Sequence, residues 1–465
     1  MSLIKSISGI RGTIGGSVGE NLTPVDAVKF AAAYGTWLKN RNENNTKITV
    51  VVGRDARISG AMISSLVTNT LIGLGIHVID LGLSTTPTVE VAVPLEKAQG
   101  GIILTASHNP KQWNALKLLN EKGEFLNGED GQEILTFATQ DAYDFAEVDD
   151  LGSYQKDDTY VEKHIQEVLN LELVNVEAIK KANFKVVVDA VNSTGGIFIP
   201  ALLKELGVEC VELYCEPNGQ FPHNPEPLKE HLGDVSKKVV QEKADFGIVV
   251  DPDVDRLALI SEDGSMFGEE YTLVACADYV LGQLGGGNTV SNLSSSRALR
   301  DVTEKHGGTY TASAVGEVNV VQAMKDTQTV IGGEGNVGII YHASHYGRDS
   351  LVGVALFLSL LATCGMSCKA LRDSYPSYYM SKNKIQLTPA LDVDAILAQM
   401  AEKYKNELVN TIDGVKVDFA EEWLHLRKSN TEPIIRIYTE SDSQASADAL
   451  AERAIKEIAE IAGLS

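Results

Sequence analysis

Ser107 stands in Thr-Ala-Ser-His-Asn-Pro (105–110), directly after the apolar run Gly-Ile-Ile-Leu (101–104). Asn-Pro favours a turn, so the hydroxyl is expected to be exposed at a strand end, where a nucleophile would stand. On its own, such a serine also reads as a turn residue satisfying its own backbone. A second stretch alters that reading. Asp251, Asp253 and Asp255 alternate in Asp-Pro-Asp-Val-Asp-Arg (251–256), again behind an apolar strand. Three carboxylates at alternate positions of a short loop converge on one hard cation and leave positions for phosphate oxygen, which suits Mg²⁺. A solvated acidic turn does not explain three like charges packed behind a buried strand without partners. An EF-hand shares Asp-x-Asp-x-Asp, and Glu262 falls at its twelfth position. Arg256, however, occupies the required glycine, and strands flank the loop instead of helices. A serine hydrolase would need a Gly-x-Ser-x-Gly elbow and an acid and base set, and neither is evident.

A phosphate dianion calls for a bidentate arginine and a concave nest of donors. Arg427-Lys428-Ser429-Asn430-Thr431-Glu432-Pro433 links two expected strands and supplies a guanidinium, an ammonium, hydroxyls and loop amides, with Arg436 close behind. Taken alone, the loop also fits a hairpin with ordinary surface charge. In Gly332-Gly333-Glu334-Gly335-Asn336 the glycines permit close backbone approach, and a carboxylate with an amide can hold vicinal sugar hydroxyls. Ser8-Gly9-Ile10-Arg11-Gly12 and Gly53-Arg54-Asp55-Ala56-Arg57 place cations beside glycines, and Arg54 and Arg57 are read as structural ion-pair partners.

One arrangement of elements would position these loops, and it occurs three times: strand, polar loop, helix, strand, helix, and a third strand ending in an unusual loop. The first copy has expected strands at Ile48–Val52, 74–80 and Gly101–Thr105. The second has Lys185–Val188, 206–212 and Asp245–Val250. The third has Thr289–Leu293, 307–313 and Thr329–Ile331. Such alternation predicts α/β layers with functional loops outside the carboxyl ends of strands. From about Asp373 the pattern changes to a smaller α+β domain. A helix is expected at Val393–Tyr404, an antiparallel pair around Val415–Phe419 and Trp423–Leu426, a strand at Ile434–Tyr438 and a final helix after Ser443. The break at Pro376, after a long helix, is a candidate hinge. The resulting domains are 1–153, 154–258, 259–372 and 373–465.

Bulk properties agree. A chain of 465 residues, 44% hydrophobic and 22% charged, fills several ordinary cores. A formal net charge of −23 excludes nucleic acid as the expected partner, because that binding needs a basic footprint. Anionic small molecules are not excluded, since screening within about 8 Å leaves local arginines to decide phosphate binding. Five cysteines without a CxxC pair suggest a reducing, cytoplasmic compartment. No secretory signal is expected at Met1–Gly12. The apolar run Leu351–Met366 is shorter than the ~20 residues that span a bilayer and reads as a buried helix, so no membrane is expected as a partner.

Taken in order, Gly-Ile-Arg-Gly, Thr-Ala-Ser-His-Asn-Pro, Asp-x-Asp-x-Asp-Arg, Gly-Glu-Gly-Asn and Arg-x-Ser-Asn-Thr-Glu-Pro resemble the α-D-phosphohexomutase superfamily of phosphoglucomutases, phosphomannomutases and phosphoglucosamine mutases. The likeness covers nearly the whole chain. It implies three tandem α/β/α sandwich domains and a C-terminal α+β domain around a central cleft. It also implies a phosphohexomutase that interconverts hexose 6-phosphate and hexose 1-phosphate through a phosphoserine and a bound hexose 1,6-bisphosphate. By that resemblance Ser107 is the phosphoserine, and Asp251, Asp253 and Asp255 hold Mg²⁺ beside its phosphate. Arg11 and His108 steady the phosphoserine, and Lys117 helps proton transfer at the reacting hydroxyl. Arg256 lies near the reacting end, Glu334 and Asn336 grip the sugar, and Arg427, Ser429, Asn430 and Thr431 clamp the remote phosphate.

The departures concern the sugar. Gly338 stands where many glucose or mannose mutases carry a histidine, and Val315-Gly316-Glu317 lacks a histidine after its glycine. Glu317 can meet the ammonium of an amino sugar, which favours glucosamine phosphate over glucose or mannose phosphate. His345 is a candidate acid or base in place of the missing histidines, or a structural residue. Pro252 and Val254 replace the usual glycines of the metal loop and are expected to stiffen it. The competing readings are a sugar-phosphate binding protein without turnover and a metal-dependent phosphatase or serine hydrolase. Monomer and homo-oligomer stay equally open.

Overall fold

The computed structural model describes residues 2–6, 9–42, 47–335, 338–387, 391–428 and 434–463. They fall into two compact units, Met1–Val280 with Val337–Ala370, and Leu281–Asn336 with Leu371–Ser465.

The first unit holds two sheets. Strands β1 (Ile4–Ser6), β2 (Gly9–Thr13), β3 (Thr49–Arg54), β4 (His77–Leu83), β5 (Gly100–Leu104), β6 (Trp113–Leu119) and β7 (Tyr154–Lys156) form the first, in the order β1-β2-β6-β5-β3-β4-β7. Strands β8 (Lys185–Asp189), β9 (Glu209–Leu213), β10 (Phe246–Val250) and β11 (Leu257–Ser261) form the second, in the order β11-β10-β8-β9. In the first sheet β3 runs parallel to β4 and β5, and in the second β8 runs parallel to β9 and β10. Val50, Val51 and Val52 in β3, and Val186, Val187 and Val188 in β8, are fully buried. That is the β-branched composition demanded of parallel strands covered on both faces.

In the second unit, β12 (Thr289–Asn292), β13 (Tyr310–Ser313) and β14 (Ile331–Glu334) repeat the parallel trio, with β12 between the other two. Its C-terminal portion is an antiparallel sheet of β16 (Tyr379–Gln386), β17 (Leu408–Asn410), β18 (Val415–Asp418), β19 (Trp423–Lys428) and β20 (Ile434–Ser441), numbered after β15 (Gly338–Tyr341) of the first unit. The order is β16-β20-β19-β18-β17. The last helix, Gln444–Ala462, is capped by the Ser443 hydroxyl, which accepts from the Ser446 N–H.

The threefold arrangement holds, with one systematic displacement. The strands expected at 74–80, 206–212 and 307–313 begin only at His77, Glu209 and Tyr310. Gly75, Gly207 and Gly307 sit at φ of +83°, +68° and +73°. Each glycine terminates the preceding helix in the left-handed conformation and does not open the strand. The third strand of the third copy lies two residues later than expected, so Glu334 ends β14 itself. The periodicity did not reveal β6 and β11, which return antiparallel beside β5 and β10. The long helix also differs: it ends at Cys364, where Gly365 adopts φ +68°, and a separate helix spans Cys368–Ser374. The break is therefore set by this glycine, ahead of Pro376. Residues Ser350–Leu361 are all buried, and among the described residues no single helix is long and apolar enough to cross a membrane.

Candidate functional site

Each parallel trio ends in a loop at the carboxyl edge of its strands, and in the first unit two of these loops meet. Ser107 follows β5 at φ +47°, a conformation uncommon outside glycine. The turn is held from beneath. Ser107 N–H donates to Thr105 Oγ1 (2.9 Å), whose hydroxyl donates to Asp55 Oδ2 (2.7 Å). Asp55 in turn pairs with Arg57 Nε at 2.9 Å, both side chains being sealed from solvent. The Arg57 guanidinium donates to the carbonyl oxygens of Ser107, Asn109 (2.7 Å), Pro110 (2.8 Å) and Trp113 (3.0 Å). One buried cation thus gathers four carbonyls of the serine turn. The ion-pair role expected of Arg57 is present, but it is the lesser part of what Arg57 does. Arg54 donates to the Asp55 carbonyl at 3.2 Å.

Contrary to expectation, Ser107 is buried, at 7% exposure. Its Oγ donates to Asp251 Oδ2 at 2.7 Å, and Asp251 Oδ1 accepts the N–H groups of Asp255 and Arg256, each at 3.2 Å. Asp253 Oδ2 accepts from Thr86 Oγ1 at 2.5 Å and from Lys117 Nζ at 2.7 Å. Asp255 Oδ2 meets Lys117 Nζ at 3.3 Å and a terminal nitrogen of Arg348 at 2.8 Å. The three carboxylates are fully buried, and each offers one oxygen within 4.8 Å of the others. Asp253 Oδ1 and Asp255 Oδ1 are buried without a hydrogen-bond partner. Buried carboxylate oxygens left in this state carry a large desolvation cost, and an all-oxygen donor set fits a hard divalent ion. The residues therefore fit a metal. Val254, between two of them, sits at φ +63°, which a β-branched side chain adopts at a cost and glycine does not. Val254 therefore places strain in the metal loop.

The local electrostatics follow from burial. Burial pushes the Asp251 carboxyl well above the usual range, and the neighbouring Asp253 and Asp255 add to it. Burial acts in the same direction on Asp253, but Lys117 and the Thr86 hydroxyl overcome it and hold Asp253 below the usual range. Lys117 shows the complement: burial disfavours its charge, yet Asp253 and Asp255 win and keep it an ammonium. His108 is pushed down to about 3 by burial and by Arg256, so it is neutral at pH 7. Arg11 on β2 donates to Asn109 Oδ1 at 3.1 Å. Arg256, also buried, reaches Glu226 at 3.4 Å.

The second unit assembles the other candidates. Glu334 Oε1 accepts from Asn292 Nδ2 and from the Gly316 N–H, each at 3.1 Å. Gly316, at φ +116°, caps the helix Glu317–Asp326, which places Glu317 in its first turn. Asp413 Oδ2 accepts the Val315 N–H at 2.9 Å and pairs with Arg427 Nε at 2.9 Å. Arg427 is therefore tied to the same loop that supports Glu334. Ser8, Asn336, Ser429, Asn430 and Thr431 lie outside the described residues.

Thr86, Arg348 and Asp413 escaped the sequence reading. Thr86 sits in a Ser-Thr-Thr-Pro helix start that gives no sign of a partner. Arg348 lies three residues after His345, in Tyr-Gly-Arg-Asp (346–349), with no motif of its own. His345 itself turns to Asp349 (3.2 Å) and Glu90 (3.4 Å).

Fold and site together define an α/β phosphotransferase. The chain belongs to the phosphoglucomutase/phosphomannomutase family. Its α/β/α domains I, II and III match residues 4–144, 159–264 and 268–379, and the family's C-terminal domain matches residues 385–457. A phosphoglucomutase/phosphomannomutase of Thermococcus kodakarensis is 36% identical over 96% of this chain and 97% of its own length. A phosphoglucosamine/phosphogalactosamine mutase of Sulfurisphaera tokodaii is 31% identical over 97% of this chain and 98% of its own. The crystal structure of a phosphoglucomutase/phosphomannomutase family protein from Burkholderia thailandensis superposes with a TM-score of 0.85 at 26% identity, covering 99% of this chain and 98% of that one. The protein is a phosphohexomutase, an isomerase that relocates a phosphoryl group within a hexose phosphate.

Proposed function

We propose that this phosphohexomutase works through a phosphorylated Ser107 and a hexose 1,6-bisphosphate intermediate, with glucosamine phosphate as its preferred sugar. The observation that carries the first part is the 2.7 Å contact between Ser107 Oγ and Asp251, at the mouth of three converging carboxylates. Asp251, Asp253 and Asp255 would hold Mg²⁺, which when bound supplies positive charge against the phosphoryl oxygens.

In the first half-reaction the bond from Ser107 Oγ to phosphorus breaks as one from the sugar hydroxyl to phosphorus forms. One proton leaves the sugar hydroxyl and one arrives at Oγ, so the step is proton-neutral. Asp251 Oδ2 is the hydrogen-bond partner of Oγ, and Lys117, held as an ammonium by Asp253 and Asp255, is a proton donor within the same carboxylate cluster. His108, neutral, can donate an N–H to a phosphate without adding charge, and Arg11 would do so with charge. The bisphosphate turns over, and Ser107 takes the other phosphate. Phosphoryl transfer of this kind rests on alignment and charge neutralisation more than on strong bases, which matches a site rich in cations.

Glucosamine is supported by Glu317, a carboxylate one residue from the amide that holds Glu334, since an amino sugar adds an ammonium for it to meet. A second reading, glucose and mannose phosphate, is supported by the Thermococcus relative, whose name specifies those activities. Arg427 would hold the remote phosphate. A cytoplasmic location is part of the proposal, supported by five free cysteines.

The test is isotopic. Purified protein incubated with hexose 1,6-bisphosphate labelled in phosphorus should carry one label, and peptide mapping should find it on Ser107. Label on another residue, or none, removes the covalent relay. Rates with the 6-phosphates of glucosamine, glucose and mannose, each with its bisphosphate, then rank the sugars.

A further inference from the structure

Behind the carboxylate cluster lies a second group of buried donors that phosphoryl transfer does not use. His164, on the helix Tyr160–Leu169, is fully buried, and Asp349, capping the helix Ser350–Cys364, is 2% exposed. His164 Nε2 lies 3.0 Å from Asp349 Oδ2, and His345 Nε2 lies 3.2 Å from the same oxygen. We propose that His164, His345 and Asp349 form a second metal site, for a nitrogen-preferring divalent ion such as Zn²⁺.

The far atoms of His164 and Asp349 are already hydrogen-bonded, and that of His345 faces a carboxylate. His164 Nδ1 meets Thr88 Oγ1 at 2.8 Å, His345 Nδ1 faces Glu90 Oε2 at 3.4 Å, and Asp349 Oδ1 accepts the N–H groups of Leu351 (2.8 Å) and Val352 (3.3 Å). This is the arrangement by which outer partners orient metal ligands, a carboxylate behind the imidazole included. The two nitrogens and one oxygen left over converge within 4.8 Å of one another. Ligands about 2.0–2.2 Å from a tetrahedral ion stand about 3.3 Å apart, close to the two separations seen.

The charge around the cluster points the same way. His345 has a carboxylate opposite each ring nitrogen, Glu90 at Nδ1 and Asp349 at Nε2, and Asp349 Oδ2 is shared with His164. A divalent cation held by the three residues would meet that concentration of negative charge directly. Two imidazoles and a carboxylate suit Zn²⁺ better than Mg²⁺, whereas the all-oxygen cluster at Asp251 has the opposite preference. The site would brace the catalytic loops. Arg348, which contacts Asp255, precedes Asp349, and Thr86, which contacts Asp253, lies two residues before Thr88.

Full-length protein stripped with a chelator and titrated with Co²⁺ provides the test, since four-coordinate Co²⁺ with nitrogen ligands gives strong visible bands and six-coordinate oxygen-bound Co²⁺ gives weak ones. We expect one equivalent of the strong spectrum, displaced by Zn²⁺ and not by Mg²⁺. It should persist in Asp253→Asn and vanish in His164→Gln and His345→Gln. Zn²⁺ should raise the unfolding midpoint of Asp253→Asn and leave that of the double variant Asp253→Asn/His345→Gln unmoved. Should His164→Gln not fold, His345→Gln, whose ring is partly exposed at 11%, decides the matter. Absence of the strong bands in the wild type, or the same bands in His345→Gln, overturns the proposal and makes the cluster a proton-sharing network alone.

Discussion

Lys117 and Asp253 form an ion pair of 2.7 Å, the carboxylate fully buried and the lysine side chain 15% exposed. The lysine arrives on β6, the antiparallel return strand after the serine turn, and the aspartate follows β10. Expected as a proton carrier, Lys117 is held as an ammonium by two carboxylates, so it can give a proton and can accept one only after its own has left. Lys117→Met should leave the carboxylate cluster undercompensated and lower stability by about 3–5 kcal/mol, the usual penalty for breaking a buried pair. Added Mg²⁺ should recover part of it. Urea denaturation with and without MgCl₂ measures both, and equal midpoints for variant and wild type would show that the pair does not form.

Ser107→Ala removes the hydroxyl that meets Asp251. Mutase activity should fall by orders of magnitude, while the fold loses about 1 kcal/mol, the net worth of one hydrogen bond. Activity assays and circular dichroism on the same preparation check the pair of effects; a fully active variant would rule out the serine.

Arg57→Ala should be among the most damaging substitutions away from the reacting groups. It strands the buried Asp55 and four carbonyl oxygens, at a cost of about 3–5 kcal/mol or more. Arg57→Lys keeps the charge but lacks the planar fork, so it should fold, bind sugar phosphate with little change in KM, and show a lower kcat. A kcat equal to that of the wild type would mean that the turn keeps its shape without the fork.

Arg427→Ala should weaken sugar-phosphate binding by about 1.5–3 kcal/mol, the loss of a charge-assisted contact. Asp413→Asn keeps the acceptor for Val315 and weakens only the pairing with Arg427, so a smaller loss in the same direction is expected. Calorimetric titration with a hexose 1-phosphate separates the two, and unaltered affinity in Arg427→Ala would remove that arginine from phosphate binding.

His425, buried on β19 between Ser294 and the Asp413 carbonyl, is lowered from 6.5 to about 4, by burial first and by Lys416 and Arg427 after it. The unfolded chain therefore takes up this proton before the folded one. The contribution of His425 to stability is complete above pH 6.5 and is lost as the pH falls toward 4, by about 3 kcal/mol in all. Hydrogen exchange of β19 amides, corrected for intrinsic rates, should show protection declining over that window, and His425→Gln should flatten the decline.

Much of this protein is legible locally. Alternation of apolar and helical segments marks the three α/β copies, because burial on both faces of a parallel strand imposes a composition that survives in one dimension. Turn residues and clustered carboxylates mark Ser107 and Asp251–Asp255, since nothing structural requires them there. Strands start later than the periodicity predicts wherever Leu-Gly or Gly-Gly stands between a helix and a strand, because a glycine that caps a helix looks the same as one that opens a loop. β6 and β11 are hidden for a related reason: returning antiparallel beside the parallel trio, they break the strand–helix alternation that marks the rest.

The sequence by itself determined the class of chemistry, the order of the loops that carry it and the layers that hold them, all consequences of residues near one another along the chain. Tertiary structure alone decided the partnerships: Ser107 with Asp251, 144 residues away, Arg348 with Asp255, 93 away, and Arg57 with the carbonyls of the serine turn, 50 or more away. These partners are chosen by where strand ends converge, and the resulting burial settles which groups are charged. Neither convergence nor burial is a property of any single segment.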